Sequence, residues 1–187
     1  MNILKQNIVF TGFRGTGKSL LGSLLAERLG IRFFDTDVLL VERLGGTISE
    51  IVRHHGWAFF RDAERHLLEE MGKMNGIVLA TGGGAIMHQE AWQHLRTNAY
   101  VIWLDANIKT ICKRMQEDNL SAEQRPALTL ASPLEEAEEK LRERTPLYLA
   151  GSDYCIDTSE SSPSVLVESI LQHLHSISVF SWTGMPS

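Results

Sequence analysis

Short apolar runs alternate along the chain with longer stretches in which apolar residues recur at helical spacing. The apolar runs predict strands at 7–11, 31–34, 77–80, 99–104 and 154–157. The longer stretches predict helices at 18–29, 38–44, 48–54, 59–71, 89–95, 108–116, 134–149 and 165–175. Strands separated by helices pair in parallel, and runs such as 77–80 (IVLA) are apolar on both faces, as in strands covered on both sides. The pattern therefore predicts an α/β fold.

One long segment interrupts this alternation. Residues 117–133 are polar, contain Pro126 and Pro133, and show no periodicity. A long irregular segment in a compact domain is usually a lid or is disordered, so we expect a mobile lid here. The final stretch, 176–187, carries apolar side chains without helix or strand signals. We therefore predict a single domain over 1–175, followed by a tail whose role stays open.

Composition and charge narrow the class of protein. The 187 residues are 43% hydrophobic and carry a net charge of −5, which fits one globular domain and disfavours nucleic-acid binding. The start shows no signal-peptide pattern, and no apolar run is long enough to cross a membrane. The cysteines, Cys112 and Cys155, lack metal-site spacing, and we expect buried, reduced thiols. These features predict a cytoplasmic protein.

A glycine-rich stretch, GFRGTGKS at 12–19, lies between the first predicted strand and the first predicted helix. It matches G-x-x-x-x-G-K-S, in which successive N–H groups form an anion nest at the positive end of the helix dipole. Lys18 can reach the β- and γ-phosphates, and the Ser19 hydroxyl can bind Mg²⁺. An incidental glycine-rich turn is the alternative, but here motif and setting agree. The stretch predicts a P-loop for a nucleoside triphosphate, with ATP as the default.

The P-loop alone does not make the protein a kinase, because GTPases and motor ATPases share it. A GTPase needs a guanine-reading NKxD-type element, which Asn119-Leu120 does not supply. The chain is also short for a motor ATPase.

Two carboxylates, Asp35 and Asp37, follow the second predicted strand. The carboxyl ends of parallel strands are where ligands bind in this architecture. One carboxylate can support Mg²⁺ through water, and the other can accept a hydrogen bond from a substrate hydroxyl. The alternative is a helix cap made by Asp35 or Thr36. The neighbouring P-loop favours the functional interpretation.

Two further stretches carry candidate chemistry. Arg61, early in a predicted helix, suits a substrate carboxylate, and Glu64 could hold its guanidinium in place; an exposed ion pair is the alternative. The triple glycine 82–84 follows a strand that ends in the ligand-binding crevice. Glycines there allow backbone N–H groups to approach a ligand, whereas the alternative is a flexible turn.

Two later arginines are candidate anion contacts, and each could instead lie on the surface. Arg125 in the lid could close onto the transferring phosphate, and Arg144 could be a second anion clamp. The seven histidines show no metal-ligand spacing, so we assign all of them to structure or surface and do not expect a zinc site.

Taken together, GFRGTGKS, FFDTD, FRDAE, ATGGG, RPAL and RTPLY occur in the order found in shikimate kinases, which the chain resembles from about residue 7 to 172. The resemblance implies a P-loop NTPase fold of the nucleoside-monophosphate-kinase type, three layers (α/β/α) around a five-stranded parallel sheet. It also implies ATP-dependent phosphorylation of the shikimate 3-hydroxyl to shikimate 3-phosphate, in aromatic amino acid biosynthesis.

The same resemblance implies roles for individual residues. Contacts to ATP are expected from Gly15, Thr16, Gly17, Lys18, Ser19, Leu20, Arg114, Arg125 and Pro163. Arg114 and Pro163 would lie at the adenine, and Lys18, Asp37 and Arg125 would be catalytic. Shikimate contacts are expected from Asp37, Arg61, Gly83 and Arg144. Ser19 and Asp35 would support Mg²⁺. The expected partners are ATP and shikimate, without nucleic acid or membrane, and we expect a monomer.

Two other functions stay open at this point. A related P-loop kinase for gluconate or a nucleotide would share the P-loop but not the two arginines with the triple glycine. A kinase-like binding module without turnover would be expected to have lost some of Lys18, Asp35, Asp37 and Arg125.

Overall fold

The computed structural model describes residues 5–117 and 133–177 of the chain. The strands are β1 (Asn7–Thr11), β2 (Arg32–Asp35), β3 (Ile77–Ala80), β4 (Ala99–Asp105) and β5 (Tyr154–Asp157). The α-helices are α1 (Lys18–Leu29), α2 (Thr36–Leu44), α3 (Ile48–Met71), α4 (Gln89–Thr97), α5 (Ile108–Glu117), α6 (Pro133–Gly151) and α7 (Pro163–Ile177). A short 3₁₀ helix, Ala85–Met87, precedes α4.

The strands form one parallel five-stranded sheet in the order β2-β3-β1-β4-β5. Successive residues of a strand face opposite sides, so Ile8 and Val9 belong to different cores. Val9 packs in the core under α3 and α4, and Ile8 packs in the core under α1 and α7. Burial on both sides gives the three layers that the sequence predicted.

The predicted boundaries hold at β1, β3, β5 and α1 and shift by one or two residues elsewhere. The separate helices predicted at 48–54 and 59–71 are one element, α3, with a break at Gly56, where φ is 83° and ψ is 165°.

The expectation of buried thiols is wrong for Cys155, which is exposed on β5, while Cys112 is half-buried; both are free. At an edge strand, one face of alternating residues points to solvent.

The strand order places three loops side by side. The P-loop follows β1, the triple glycine follows β3, and Asp35 ends β2, so all three lie at the carboxyl edge of neighbouring strands. Ligands bind at this edge in open parallel sheets. The fold therefore gathers most of the predicted site into one cleft.

Some predictions lie outside the described residues. Residues 118–132 comprise most of the predicted lid, including Arg125, and residues 178–187 comprise most of the tail. Neither range is among the described residues. Among the helices of residues 5–117 and 133–177, none combines the length and apolar character needed to cross a bilayer.

Candidate active site

The loop at 12–17 has the backbone geometry of an anion nest. Gly15 and Gly17 have φ values of 77° and 92°, a region that residues with a side chain rarely adopt. Gly17 is the N-cap of α1 and makes no side-chain cap, so the first N–H groups of the helix stay oriented toward the loop. A glycine-rich loop with this backbone geometry, at the positive end of a helix dipole, is suited to binding phosphate.

Two polar side chains of this loop are held by its own backbone. Lys18 is buried, and its Nζ donates to the carbonyl oxygen of Phe13 at 2.7 Å. The Thr16 hydroxyl donates to the same oxygen at 2.7 Å. The Lys18 ammonium group therefore already lies within the loop that would enclose the phosphates.

Ser19 and Asp35 meet across the cleft. The Ser19 hydroxyl donates to Oδ2 of Asp35 at 2.5 Å. The other oxygen, Oδ1, accepts from the N–H groups of Asp37 and Val38 and caps α2. The helix-cap interpretation of Asp35 is therefore confirmed, and the cap leaves its second oxygen on the P-loop serine. The role of Asp35 toward Mg²⁺ stays a prediction.

This pair fits Mg²⁺. Hydroxyl and carboxylate oxygens are the hard ligands that Mg²⁺ prefers, and it takes its remaining ligands from water and substrate phosphates. Within the described parts of the chain, no cluster of three or more His, Cys, Asp or Glu side chains is arranged for a metal. A site with few protein ligands is the arrangement that Mg²⁺ uses with nucleotides.

Asp37 and Glu64 approach the first glycine of the triplet from two elements. A Cβ atom on Gly82 would lie 2.8 Å from Oδ1 of Asp37 and 2.9 Å from Oε1 of Glu64. The N–H of Gly82 donates to the Thr36 hydroxyl at 2.8 Å, which ties this turn to the start of α2. A side chain at Gly82 would therefore displace one or both carboxylates.

Arg144 and Tyr148, both on α6, hold the middle glycine. Arg144 Nη1 donates to the carbonyl oxygen of Gly83 at 3.1 Å, and the Tyr148 hydroxyl donates to it at 2.6 Å. The Nε of Arg144 is buried and makes no hydrogen bond to any residue in the described parts of the chain. Such a buried donor is costly unless a ligand accepts from it.

Arg61 lies against the last glycine, with its guanidinium group occupying the side-chain space of Gly84. Its Cζ also lies 5.2 Å from the centre of the Trp57 ring, within cation–π range. The two guanidinium groups predicted to bind one carboxylate therefore flank adjacent glycines of the same turn.

Glu64 links Arg61 to His88, for which the sequence predicted a structural or surface role. Its Oε2 accepts from Arg61 Nη1 at 2.5 Å and from His88 Nε2 at 2.9 Å, and its side chain is only 2% exposed. Burial by itself would raise the pKa of Glu64, but the hydrogen bond from His88 and the charge and hydrogen bond of Arg61 outweigh it. The pKa lies below its ordinary value, so Glu64 is ionised at neutral pH.

These residues line a cavity of about 560 Å³ that includes its open mouth. Its apolar walls are formed by Phe13, Ile48, Trp57 and Phe60. Its charged lining is formed by Arg14, Asp37, Arg61, Glu64, Lys140 and Arg144. Four cations against two carboxylates give a positive pocket in a chain whose net charge is −5. The cavity suits a small anionic molecule.

The predicted adenine contacts lie at the other side of the P-loop. Arg114 donates to the carbonyl oxygen of Gly15 at 3.2 Å and to the hydroxyl and carbonyl oxygens of Thr158. The Thr158 hydroxyl donates in turn to the carbonyl oxygen of Thr16 at 3.0 Å. Pro163 is exposed and begins α7, and Leu20 in the first turn of α1 is 52% exposed. Arg114 thus fastens the P-loop to the β5–α7 loop.

Several site residues were not found from the sequence. Arg14 is an unspecified position of the P-loop motif, and Lys140 lies in a charge-rich stretch typical of a solvated helix face. His88 and Thr158 belong to no motif that we recognised. One signal was available for Tyr148, because it belongs to RTPLY, but only the fold shows that its hydroxyl reaches Gly83.

Known proteins resemble this chain over nearly its full length. The sequence model described as shikimate kinase matches residues 14–175. A shikimate kinase of Syntrophus aciditrophicus is 38% identical over 179 residues, covering 91% of this chain and 92% of that protein. A structure of the Acinetobacter baumannii shikimate kinase in complex with shikimate has a TM-score of 0.86 and 32% identity, covering 94% of this chain and 96% of that one.

One comparison bears on a rival function. A gluconokinase structure from Sinorhizobium meliloti has a TM-score of 0.55 at 14% identity, covering 95% of each chain, so it shares the fold alone. The family model and the similar relatives agree with the cleft described above, in which a P-loop faces a cationic acceptor pocket. On this evidence, the chain belongs to the shikimate kinase family.

Proposed function

We propose that the protein transfers the γ-phosphoryl group of ATP to the 3-hydroxyl of shikimate, with the residues of the described cleft in the roles that follow. The observation that carries the proposal is the position of Arg61 and Arg144, which flank one glycine turn in a cavity that also contains Asp37. A planar carboxylate is the group that two convergent guanidinium groups recognise best.

The carboxylate of shikimate orients the rest of the molecule. Held by Arg61 and Arg144, with the orphaned Nε of Arg144 as a further donor, the ring places a hydroxyl toward Asp37. Asp37 accepts a hydrogen bond from this hydroxyl and can take its proton during attack on phosphorus. Positioning and charge neutralisation supply most of the catalysis in phosphoryl transfer, so the protein needs no covalent intermediate.

The P-loop holds the other substrate. Backbone N–H groups of residues 15–20 bind the β- and γ-phosphates, and Lys18 moves from the carbonyl oxygen of Phe13 to the phosphates. Ser19 and Asp35 would hold Mg²⁺. When bound there, Mg²⁺ would supply positive charge that offsets the charge of the phosphates. We further propose that Arg125 contacts the transferring phosphate, and that Arg114 and Pro163 lie beside the adenine.

Release of ADP by the purified protein tests this proposal. We expect ADP only when shikimate is present, one equivalent per shikimate consumed, and a product phosphorylated at the 3-hydroxyl by ³¹P NMR. Gluconate and nucleoside monophosphates serve as competing acceptors. A higher rate with either would favour the rival kinase, and shikimate binding by calorimetry without product would favour a module without turnover.

A matched pair of variants tests the acceptor contacts. Arg144 is 8% exposed and Arg142, two residues earlier on α6, is exposed. We expect Arg144→Met to raise the KM for shikimate by about ten- to a hundredfold, the loss of a hydrogen bond to a charged group. Arg142→Met should leave it unchanged. If both variants had the same KM for shikimate, Arg144 would not be a contact to the shikimate carboxylate.

We also propose that residues 1–175 form a single catalytic domain that acts as a monomer. The two hydrophobic cores share one sheet, which supports a single unit. Light scattering during size exclusion should give a mass near 21.0 kDa. A mass twice as large would contradict the monomer.

A further inference from the structure

We propose that His88 is a positioning residue for the acceptor pocket. Through its hydrogen bond to Glu64, it fixes where Arg61 presents its guanidinium group to the carboxylate of shikimate. The inference rests on the proposed function, because it concerns the same pocket.

The backbone of His88 is fixed by the start of α4, but its side chain takes no part in that helix. His88 is the N-cap residue, its N–H donates to the carbonyl oxygen of Ala85, and its carbonyl oxygen accepts from the N–H of Trp92 at 2.8 Å. Its side chain forms no cap, although a short polar residue here would stabilise the helix. The imidazole points instead at Glu64, with a side chain only 14% exposed.

The protonation of this contact follows from its partner. Glu64 is ionised and can only accept, so Nε2 of His88 carries the hydrogen that it donates at 2.9 Å. Arg61 donates to the same oxygen, Oε2. Two donors on one oxygen fix the carboxylate in two directions. If the His88 side chain were removed, Arg61 would be the remaining donor of this pair. The Glu64 carboxylate could then rotate, and the Arg61 guanidinium group would follow it.

The position of Glu64 also affects the reacting end of the pocket. Its other oxygen, Oε1, and Oδ1 of Asp37 both crowd the side-chain space of Gly82. A rotation of Glu64 would therefore disturb Arg61 on one side and the surroundings of Asp37 on the other. His88 lies behind Glu64, and Glu64 touches the pocket, so His88 acts through Glu64 and Arg61.

A purely structural role makes a different prediction. If His88 only satisfied a buried carboxylate, its loss would lower the unfolding temperature and the fraction of active enzyme, but the KM for shikimate of the folded enzyme would not move. The KM for shikimate, measured beside kcat and the KM for ATP, therefore separates the two roles.

Three substitutions at His88 form the test, with His94→Ala as the control on the exposed face of the same helix. In His88→Gln the amide nitrogen can occupy the place of Nε2, whereas the shorter His88→Asn cannot reach Glu64. We expect His88→Ala and His88→Asn to raise the KM for shikimate about tenfold, the loss of one positioning hydrogen bond. His88→Gln should restore it to within about threefold of wild type, and the KM for ATP should not change.

Each outcome decides one question. A KM for shikimate in His88→Asn equal to that of His94→Ala, or no difference between the Gln and Asn variants, would overturn the role of His88. If His88→Ala does not fold, the Gln and Asn pair still decides. Wild-type protein that releases no ADP with shikimate would instead contradict the proposed function, whatever the variants do.

Discussion

The guanidinium group of Arg61 fills the space beside Gly84 that a side chain at that position would need. A Cβ atom on Gly84 would lie 2.8 Å from Cζ and 2.9 Å from Nη2 of Arg61. Gly84 has φ −96° and ψ −10°, angles that alanine adopts without strain. The space that Arg61 occupies, rather than the backbone conformation, is what favours glycine here.

We therefore expect Gly84→Ala to displace Arg61 and to raise the KM for shikimate about tenfold or more, with the KM for ATP unchanged. Initial rates at varied shikimate measure this. Gly46→Ala is the control, because its Cβ would meet nothing closer than 3.4 Å. The idea fails if the two alanine variants have the same KM for shikimate.

Asp37 should be needed for turnover but not for nucleotide binding. Asp37→Asn removes the proton acceptor at the attacking hydroxyl, and we expect kcat to fall about a hundredfold or more. ATP affinity, measured by calorimetry, should stay near that of wild type. Asp62→Asn is the control, because its side chain is 60% exposed and pairs with Arg65 on the surface of α3. A kcat near the wild-type value would remove Asp37 from the mechanism.

Lys18 should contribute to the rate through the charge that develops on the phosphates. Lys18→Met should lower kcat about a hundredfold, equivalent to about 3 kcal/mol of transition-state stabilisation. Steady-state rates at saturating shikimate test it. Lys113→Met removes an ammonium group on a side chain that is 76% exposed, and should leave kcat unchanged. If kcat fell equally in both variants, the loss would come from the change in net charge and not from a specific role of Lys18.

Chelation of divalent cations should stop turnover, and added Mg²⁺ should restore it. Ser19→Ala removes the hydroxyl that meets Asp35, so we expect it to raise the Mg²⁺ concentration for half-maximal rate about tenfold. Ser23→Ala, one turn further along α1, removes a hydroxyl bonded only locally to the carbonyl oxygen of Leu20. An unchanged Mg²⁺ requirement in Ser19→Ala would contradict this site.

Glu64 should make the free energy of unfolding depend on pH in acid. Its pKa in the folded protein lies below the ordinary value of 4.5, which the unfolded chain regains. The stabilisation is fully present above pH 4.5 and is lost as pH falls through the lower folded pKa. Urea unfolding over a pH series should therefore show a steeper loss for wild type than for Glu64→Gln.

Glu69→Gln provides the comparison for this experiment, because Glu69 lies on the same helix and its side chain is 39% exposed. The free energy of unfolding of Glu69→Gln should fall in acid as steeply as that of the wild type. If Glu64→Gln lost stability in acid as steeply as wild type, Glu64 would not be the ionised group that we describe.

The local parts of the site were predictable from the sequence because each is encoded by neighbouring residues. The P-loop needs glycines that adopt positive φ and a lysine at the start of a helix, and both requirements are visible in GFRGTGKS. Asp35 and Asp37 were found because two carboxylates directly follow a strand. The alternation of apolar runs and periodic stretches predicted the parallel sheet for the same reason.

The contacts between distant segments could not be predicted in this way. His88 and Glu64 are 24 residues apart, and Arg144 and Gly83 are 61 residues apart. From the sequence, a histidine at the start of α4 is expected to have a structural or surface role, because no local pattern links it to an acid on α3. The packing of α4 against α3 brings the imidazole to the buried carboxylate.

The sequence by itself determined the chemistry available to this protein: a phosphate-binding loop, two carboxylates beside it, and arginines able to bind an acid. Tertiary structure decided which of these groups meet, because side-chain orientation at a shared cleft depends on how α3, α4 and α6 pack around one glycine turn. Backbone conformation is encoded by adjacent residues, whereas the surroundings of a buried charge come from segments far apart in the chain.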